Sequence, residues 1–317
     1  MIPRVSIVMA AYNVERYVDK AIQSVMDQTL KDFELIVVND GSTDGTRERV
    51  LSYKESRIIL IDEPVNRGPS YCRNVALSRA RGDYVTILDA DDWWSSERLE
   101  RLLIMASRYG ADVAFDNLWL IDDGQEAPWS TYFDEVRMPF WEGQLRLESL
   151  AARDFGALKP LLRRDWLLTP PVIRFRETLS VGEDYEFMLR CLARRPVLAA
   201  TSSAGYFYRR RKGSLVSDTA NSLAKLHAAA EDMLRSGESY PEMEWVIRRR
   251  IRLLDQALQW ESLREAYLTH SGWGILFLIV RRPRLIGSLV LEVPRWLRRV
   301  GRRHSTSMKD TPSFSGR

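Results

Sequence analysis

Val5-Ser6-Ile7-Val8-Met9-Ala10-Ala11-Tyr12-Asn13-Val14 is the stretch from which the rest of the chain is read. Its apolar run over residues 5–10 has the composition of a parallel strand covered on both faces. Val14, Tyr17, Val18, Ala21, Ile22, Val25 and Met26 then recur at helical spacing, and Asn13 stands where an N-cap belongs. A strand passes into a helix, and the rhythm repeats. Residues 33–38 predict a second strand, followed by the polar turn Gly41-Ser42-Thr43-Asp44-Gly45 and a short helix over 47–53. Residues 58–61 predict a third strand, after which Asn66-Arg67-Gly68-Pro69 turns into a helix through Ala80 with Pro69 at its first position. A fourth strand over 84–88 ends on Asp89-Ala90-Asp91-Asp92. Such alternation predicts an α/β domain of right-handed βαβ units around a mostly parallel sheet, with ligands at the strand C-termini.

Downstream, a helix is expected near 97–108 and a strand over 113–117. Regularity weakens between Asp122 and Gly143, where Trp129, Tyr132, Phe133, Phe140 and Trp141 lie among polar residues, so this long aromatic loop reads as a lid or a binding surface. Gly182-Glu183-Asp184 opens a helix through Ala193, residues 204–211 read as a late strand, and the chain reads as helical from Ala220. The last residues, 305–317, have the composition of a disordered end.

The strongest chemical signal is Asp89, Asp91 and Asp92 at the end of a buried strand. Three carboxylates there repel one another unless a hard divalent cation, itself bridging phosphate oxygens, sits among them; the structural alternative is a solvated turn capping the next helix. Ala11-Tyr12-Asn13 and Asn39-Asp40-Gly41-Ser42 end the first two strands and would face the same crevice, where a nucleotide belongs. The first strand is followed by no Gly-rich dinucleotide fingerprint, and the chain has no Walker lysine, which removes the main support for NAD and ATP readings. Arg67 and Arg73 are placed to meet base or phosphate, or to lie on a solvated helix face. Glu183 and Asp184 suit a helix start without any catalytic role, because the dipole favours acids there. Followed by Arg209-Arg210-Arg211-Lys212-Gly213-Ser214, however, they read as a general base beside a phosphate- or acceptor-binding strip, with Arg209, Arg211 and Ser214 its candidate contacts.

Together these residues resemble the family 2 glycosyltransferases of the GT-A fold, such as those of bacterial polysaccharide and exopolysaccharide biosynthesis. The resemblance is dense over residues 4–118 and resumes at 182–184 and 206–214, about half of the chain. Where the family often has proline two residues before the Tyr-Asn pair, this chain has Ala10. The resemblance implies that Asp40 holds the nucleobase, that Ala11, Tyr12 and Asn13 line its pocket, and that Arg67, Arg73 and Ala90 belong to the same nucleotide-sugar site. It implies Asp89 and Asp91 as ligands of Mg²⁺ or Mn²⁺ on the diphosphate of the donor, expected to be a UDP-sugar, and Asp184 as the base of an inverting transfer, with Glu183 the alternative. Residues 1–118 would then be the nucleotide-sugar half of the domain, 119–218 the acceptor and base half, 219–304 a helical extension and 305–317 a tail.

Charge is unevenly spread. The chain carries +4 overall, but residues 248–304 hold 13 arginines against Asp255, Glu261, Glu265 and Glu292, a local +9 behind a mildly acidic body. Residues 273–280 are apolar but fall short of the ~20 that span a bilayer. Ile286, Leu289, Val290, Val293, Leu297 and Val300 share a helix face rimmed by arginines, which reads as an in-plane anchor on an anionic membrane surface, or as a basic helix packed on the body or on a protein partner. The start of the chain has no n-region or h-region of a signal peptide, so the expected location is cytoplasmic, peripheral on the inner membrane. Cys72 and Cys191 read as reduced structural thiols. Two other functions compete: a sugar nucleotidyltransferase, whose Gly-rich, Arg-containing loop is not found after the first strand, and a non-catalytic nucleotide-sugar-binding protein, which would not need Asp89, Asp91 and Asp184 together. Nucleic acid is a poor partner, because the basic residues cluster only at the tail.

Overall fold

The computed structural model describes residues 2–151, 155–211, 219–235 and 243–268. The four expected strands are present as β1 (Val5–Ala11), β2 (Phe33–Asp40), β3 (Ile58–Glu63) and β4 (Tyr84–Ile87), linked by α1 (Val18–Met26), α2 (Thr46–Ser52) and α3 (Pro69–Arg79). They run parallel in the order β3-β2-β1-β4, with Val5 beside both Phe33 and Tyr84 and Val8 beside Ile36 and Ile87. Burial explains why these runs read as largely apolar: Val5, Ile7, Val8, Met9 and Leu35 to Val38 are all 0% exposed, and the buried polar pair within them, Ser6 and Glu34, is joined by a hydrogen bond.

The second half of the sheet is built from short antiparallel pieces around two long strands. Its elements are β5 (Trp93–Trp94), α4 (Arg98–Tyr109), β6 (Val113–Asp122), β7 (Ser130–Thr131), α5 (Tyr132–Glu135), β8 (Glu142–Leu145), α6 (Leu147–Ala151), β9 (Leu161–Arg163), α7 (Arg164–Leu168), α8 (Glu183–Ala193) and β10 (Leu198–Arg210), before α9 (Thr219–Arg235) and α10 (Glu244–Leu268). β9 lies antiparallel between β4 and β6, and β10 runs parallel to β6, so the described strands form one ten-stranded sheet in which β6 crosses residue 118. A side chain at Gly205 of β10 is excluded by packing, since its Cβ would stand 2.6 Å from Asp116 Oδ2 and 2.7 Å from an Arg101 guanidinium nitrogen.

Arg98 and Asp116 brace this half from inside. Arg98 is 0% exposed, donates from Nε and one terminal nitrogen to the Asp116 carboxylate, and gives a further bond of 2.6 Å to the Lys159 carbonyl. A charge so deep persists only because it is paired and hydrogen-bonded.

Two local expectations are corrected. Asn13 is not an N-cap: α1 starts later, after Tyr17 and without a side-chain cap, while Asn13 takes φ 49° and accepts the Thr43 N–H at 2.9 Å. Asparagine tolerates that left-handed backbone, and its side chain is thereby spent on holding the β2 turn. The segment from Asp122 to Gly143 is not a free aromatic loop either. It carries β7, α5 and the start of β8, buries Phe133 to 3%, and leaves only Phe140 among its large aromatics widely exposed, at 83%.

Candidate active site

The C-terminal ends of β1, β2 and β4 form one crest. At β2, Gly41 takes φ +65°, and a Cβ there would stand only 2.8 Å from the Val65 carbonyl carbon, so its missing side chain lets the 65–68 turn lie against Asp40. Asp40 is 2% exposed, and its two oxygens accept the backbone N–H groups of Arg67 and Gly68, each at 2.8 Å. The carboxylate therefore anchors this turn, a job the sequence does not announce. Ala11 is buried and Tyr12 is 46% exposed beside it, so of the residues expected to line a base pocket Tyr12 presents the ring surface. The Arg67 guanidinium lies 3.6 Å above the Tyr71 ring, and Arg73, expected to meet base or phosphate, instead turns inward and is 5% exposed.

Arg73 completes the central feature of the site. Its two terminal nitrogens donate to Asp89 Oδ1 at 2.8 Å and to Asp184 Oδ1 at 2.9 Å, and the second also reaches Glu183 Oε1 at 3.1 Å. Lys159, just before β9, closes the figure from the other side: its ammonium meets Asp89 Oδ2 at 3.0 Å and donates to Asp184 Oδ2. Two carboxylates and two cations thus alternate in a ring that joins the end of β4 to the start of α8, more than ninety residues apart in sequence. The sequence reading missed Lys159, which has no acidic neighbour in its own stretch Phe155-Gly156-Ala157-Leu158-Lys159-Pro160.

Electrostatics within the ring follow from burial set against pairing. Burial works to raise the Asp89 carboxyl, but Lys159 and Arg73 outweigh it and hold the group below the ordinary range. Lys159 is likewise opposed by burial, yet Asp184 and Asp89 raise it above its usual value, so it stays charged. Glu183 goes the other way: burial first, then the Asp184 charge, push it up despite Arg73. Glu183 is the more enclosed of the acid pair, with side-chain exposure of 11% against 22% for Asp184.

Asp91 and Asp92 are divided by their surroundings. Asp92 is 2% exposed, accepts the Tyr206 hydroxyl at 2.8 Å and the Arg209 N–H at 2.7 Å, and is raised well above the ordinary range by burial and then by Asp91 and Asp89. It is a packing group fixed to β10. Asp91 faces outward, with Oδ2 taking the Arg211 Nε at 2.6 Å and its carbonyl taking the Arg209 Nε at 2.7 Å. Arg209 in turn pairs with Asp123, which also accepts the Tyr17 hydroxyl, and lies 4.7 Å from the Trp93 ring centre. Arg209 and Arg211 therefore do reach the aspartate crest, while Ser214 lies outside the described residues.

A divalent ion such as Mg²⁺ needs one or two protein carboxylates when phosphate oxygens and water complete its shell. Asp91 meets that requirement, because Oδ1 takes no hydrogen bond from any described residue. Both Asp89 oxygens are engaged by Arg73 and Lys159, as both Asp184 oxygens are, and each Asp89 oxygen keeps a lone pair with which it could join Asp91 on such an ion. Among the described residues no group of three or more metal-ligating side chains is assembled. The cavity of about 330 Å³ lined by Arg146, Arg195 and Trp245 adjoins the far end of α8 and is not part of this crest.

A parallel α/β sheet, extended by antiparallel pieces and bearing a strand-end aspartate group opposite a helix-start acid pair, defines the GT-A class of fold. The chain belongs to glycosyl transferase family 2, whose family model matches residues 6–168. It is similar to the succinoglycan biosynthesis protein ExoO of Rhizobium meliloti, with 35% identity covering 68% of this chain and 63% of that protein. The match thus spans a little under two thirds of that relative's length. ExoU, a second succinoglycan biosynthesis protein of the same organism, is 30% identical over 78% of this chain and 74% of its own. In fold it resembles Staphylococcus aureus TarS 1–349 solved with UDP-GlcNAc, with a TM-score of 0.61 and 22% identity over 90% of this chain and 79% of that one.

Proposed function

We propose that this chain transfers a sugar from a UDP-sugar to a hydroxyl of a glycan or lipid-linked glycan acceptor, with inversion, in the assembly of a polysaccharide. The ring linking Asp89 to Asp184 carries the reading, because it brings a donor-side carboxylate and a helix-start carboxylate to one crevice. The names of ExoO and ExoU support the polysaccharide, and the nucleotide sugar in TarS supports the donor class.

In this reading the acceptor oxygen attacks the anomeric carbon, its proton passes to Asp184, and the bond to the diphosphate breaks with its electron pair staying on the phosphate oxygen. Asp184 is the better placed base, since Glu183 is more enclosed and its carboxyl is held toward the protonated form. Asp91, with Asp89, would hold Mg²⁺ or Mn²⁺, which when bound neutralises charge on the departing diphosphate. Arg209 and Arg211 stand at the same end and add positive charge to it. Tyr12 and the Asp40-anchored turn would form the base pocket.

Incubating the protein with a panel of nucleotide sugars, Mn²⁺ and glycan acceptors, and reading released nucleoside diphosphate, tests the reading. No release above a metal-free blank for any donor would overturn it. Asp91→Ala is expected to remove the Mn²⁺-dependent part of UDP affinity in calorimetric titration while leaving the thermal transition in place; an unchanged metal dependence would take Asp91 out of the role.

We further propose that the basic segment holds the protein on an anionic membrane surface at the cytoplasmic face. No described helix is long and apolar enough to cross a membrane, and residues 269–317, where the proposed anchor falls, lie outside the described residues. Each arginine near an anionic surface contributes ~1 kcal/mol, and screening within ~8 Å at physiological salt makes that part salt-sensitive. The full chain is expected to co-sediment with phosphatidylglycerol vesicles at low salt, whereas a chain ending at Ser271 stays in the supernatant. Equal sedimentation of the two would assign the segment to packing or to a protein partner.

A further inference from the structure

We infer that Lys159 is a positioning residue for transfer, acting through Asp184 and not through the donor. Its side chain is 3% exposed, and its ammonium is shared between Asp89 at 3.0 Å and Asp184. Its backbone is fixed independently, because the Lys159 carbonyl accepts from the fully buried Arg98, which is locked to Asp116 on β6. The ammonium is thus delivered from a rigid mount, not from a flexible surface stem.

Its partners divide the work of the ring. Arg73 reaches Asp89, Glu183 and Asp184, so it alone tethers the whole acid group to α3. Among the described residues the Lys159 ammonium pairs with Asp89 and Asp184 alone, and it takes the second oxygen of each. A carboxylate held by Arg73 through one oxygen can still turn about its Cβ–Cγ bond; a second cation on the other oxygen fixes its plane. The plane of Asp184 decides where its remaining lone pairs aim, and general-base transfer falls steeply once the accepting oxygen leaves hydrogen-bond reach of the acceptor hydroxyl. In the proposed reading the donor diphosphate is met by Asp91, Arg209 and Arg211, which contact one another on the outward side of the crest. Losing Lys159 should therefore cost turnover and leave donor affinity nearly intact.

This inference rests on the transferase reading, and the experiment keeps the two apart. Wild-type protein, Lys159→Met and Lys159→Arg are compared for kcat, for the KM of the donor and for UDP affinity with Mn²⁺, alongside thermal melting. Lys159→Met is expected to lose kcat by tenfold or more with donor KM and UDP affinity moving less than about threefold, and Lys159→Arg to recover part of the lost kcat. Lys159→Gln, which keeps a donor without the charge, replaces Lys159→Met if that variant does not fold. An unchanged kcat in the folded variant, or a parallel loss of kcat and UDP affinity, overturns the role assigned to Lys159 while transfer itself stands. Inactivity of the wild-type protein toward every donor would remove the transferase reading and this inference with it.

Discussion

Asp184→Asn is expected to lower transfer by about 100-fold or more while binding of UDP with Mn²⁺ stays close to wild type, the loss usual for a missing general base. The amide is nearly isosteric with the carboxylate but cannot accept the proton released as the acceptor oxygen attacks. Asp184 also balances Arg73 and Lys159, so the substitution leaves two buried cations facing Asp89 and Glu183. Melting must therefore be measured beside kinetics, and turnover referred to folded protein. Glu183→Gln supplies the contrast. Burial and the neighbouring charge already hold Glu183 toward its neutral form, so its amide should cost far less than that of Asp184. Near-normal turnover in Asp184→Asn with the large loss in Glu183→Gln would move the base one residue upstream.

The largest effect on stability is expected from Asp116→Ala, at about 3–5 kcal/mol, because it strands the fully buried Arg98 without its counter-charge. Denaturant midpoints read this directly, since a change in midpoint at constant slope is a change in stability. The double variant Arg98→Met with Asp116→Leu should recover most of the loss, because a pair of apolar side chains of similar volume removes both desolvated charges together. It should not recover everything, as the Lys159 carbonyl loses the guanidinium that it accepts from at 2.6 Å. A single-variant cost below ~1 kcal/mol, the value of an exposed pair, would show that the Arg98–Asp116 interior is open to water.

These two expectations differ in how far the sequence foreshadowed them. Asp184 stood out because it opens a helix after Gly182 and is followed, twenty-five residues on, by a run of arginines. Asp116 and Arg98 did not stand out, since a lone acid in a strand and a lone arginine in a helix are the commonest surface pattern. Arg73 follows the same pattern. It was expected at a base or phosphate, and the fold turns it beneath the crest onto three carboxylates.

By itself, the sequence determined the parallel half of the sheet, β1 to β4 with α1 to α3, and the position of Asp40, Asp89, Asp91 and Asp92 where its strands end. Both are local properties: strands buried on two faces are predominantly apolar, and the polar residues that end them are adjacent in the chain. Only the tertiary structure decided that β9 inserts antiparallel beside β4, that Asp40 holds the 66–68 turn, that Asp92 is buried while Asp91 stays open, and that Lys159 sits between Asp89 and Asp184. The physical reason is range. A three-residue strand carries too little periodicity to be read, and the partner of a buried charge is chosen by whichever distant segment the sheet order brings within hydrogen-bond distance.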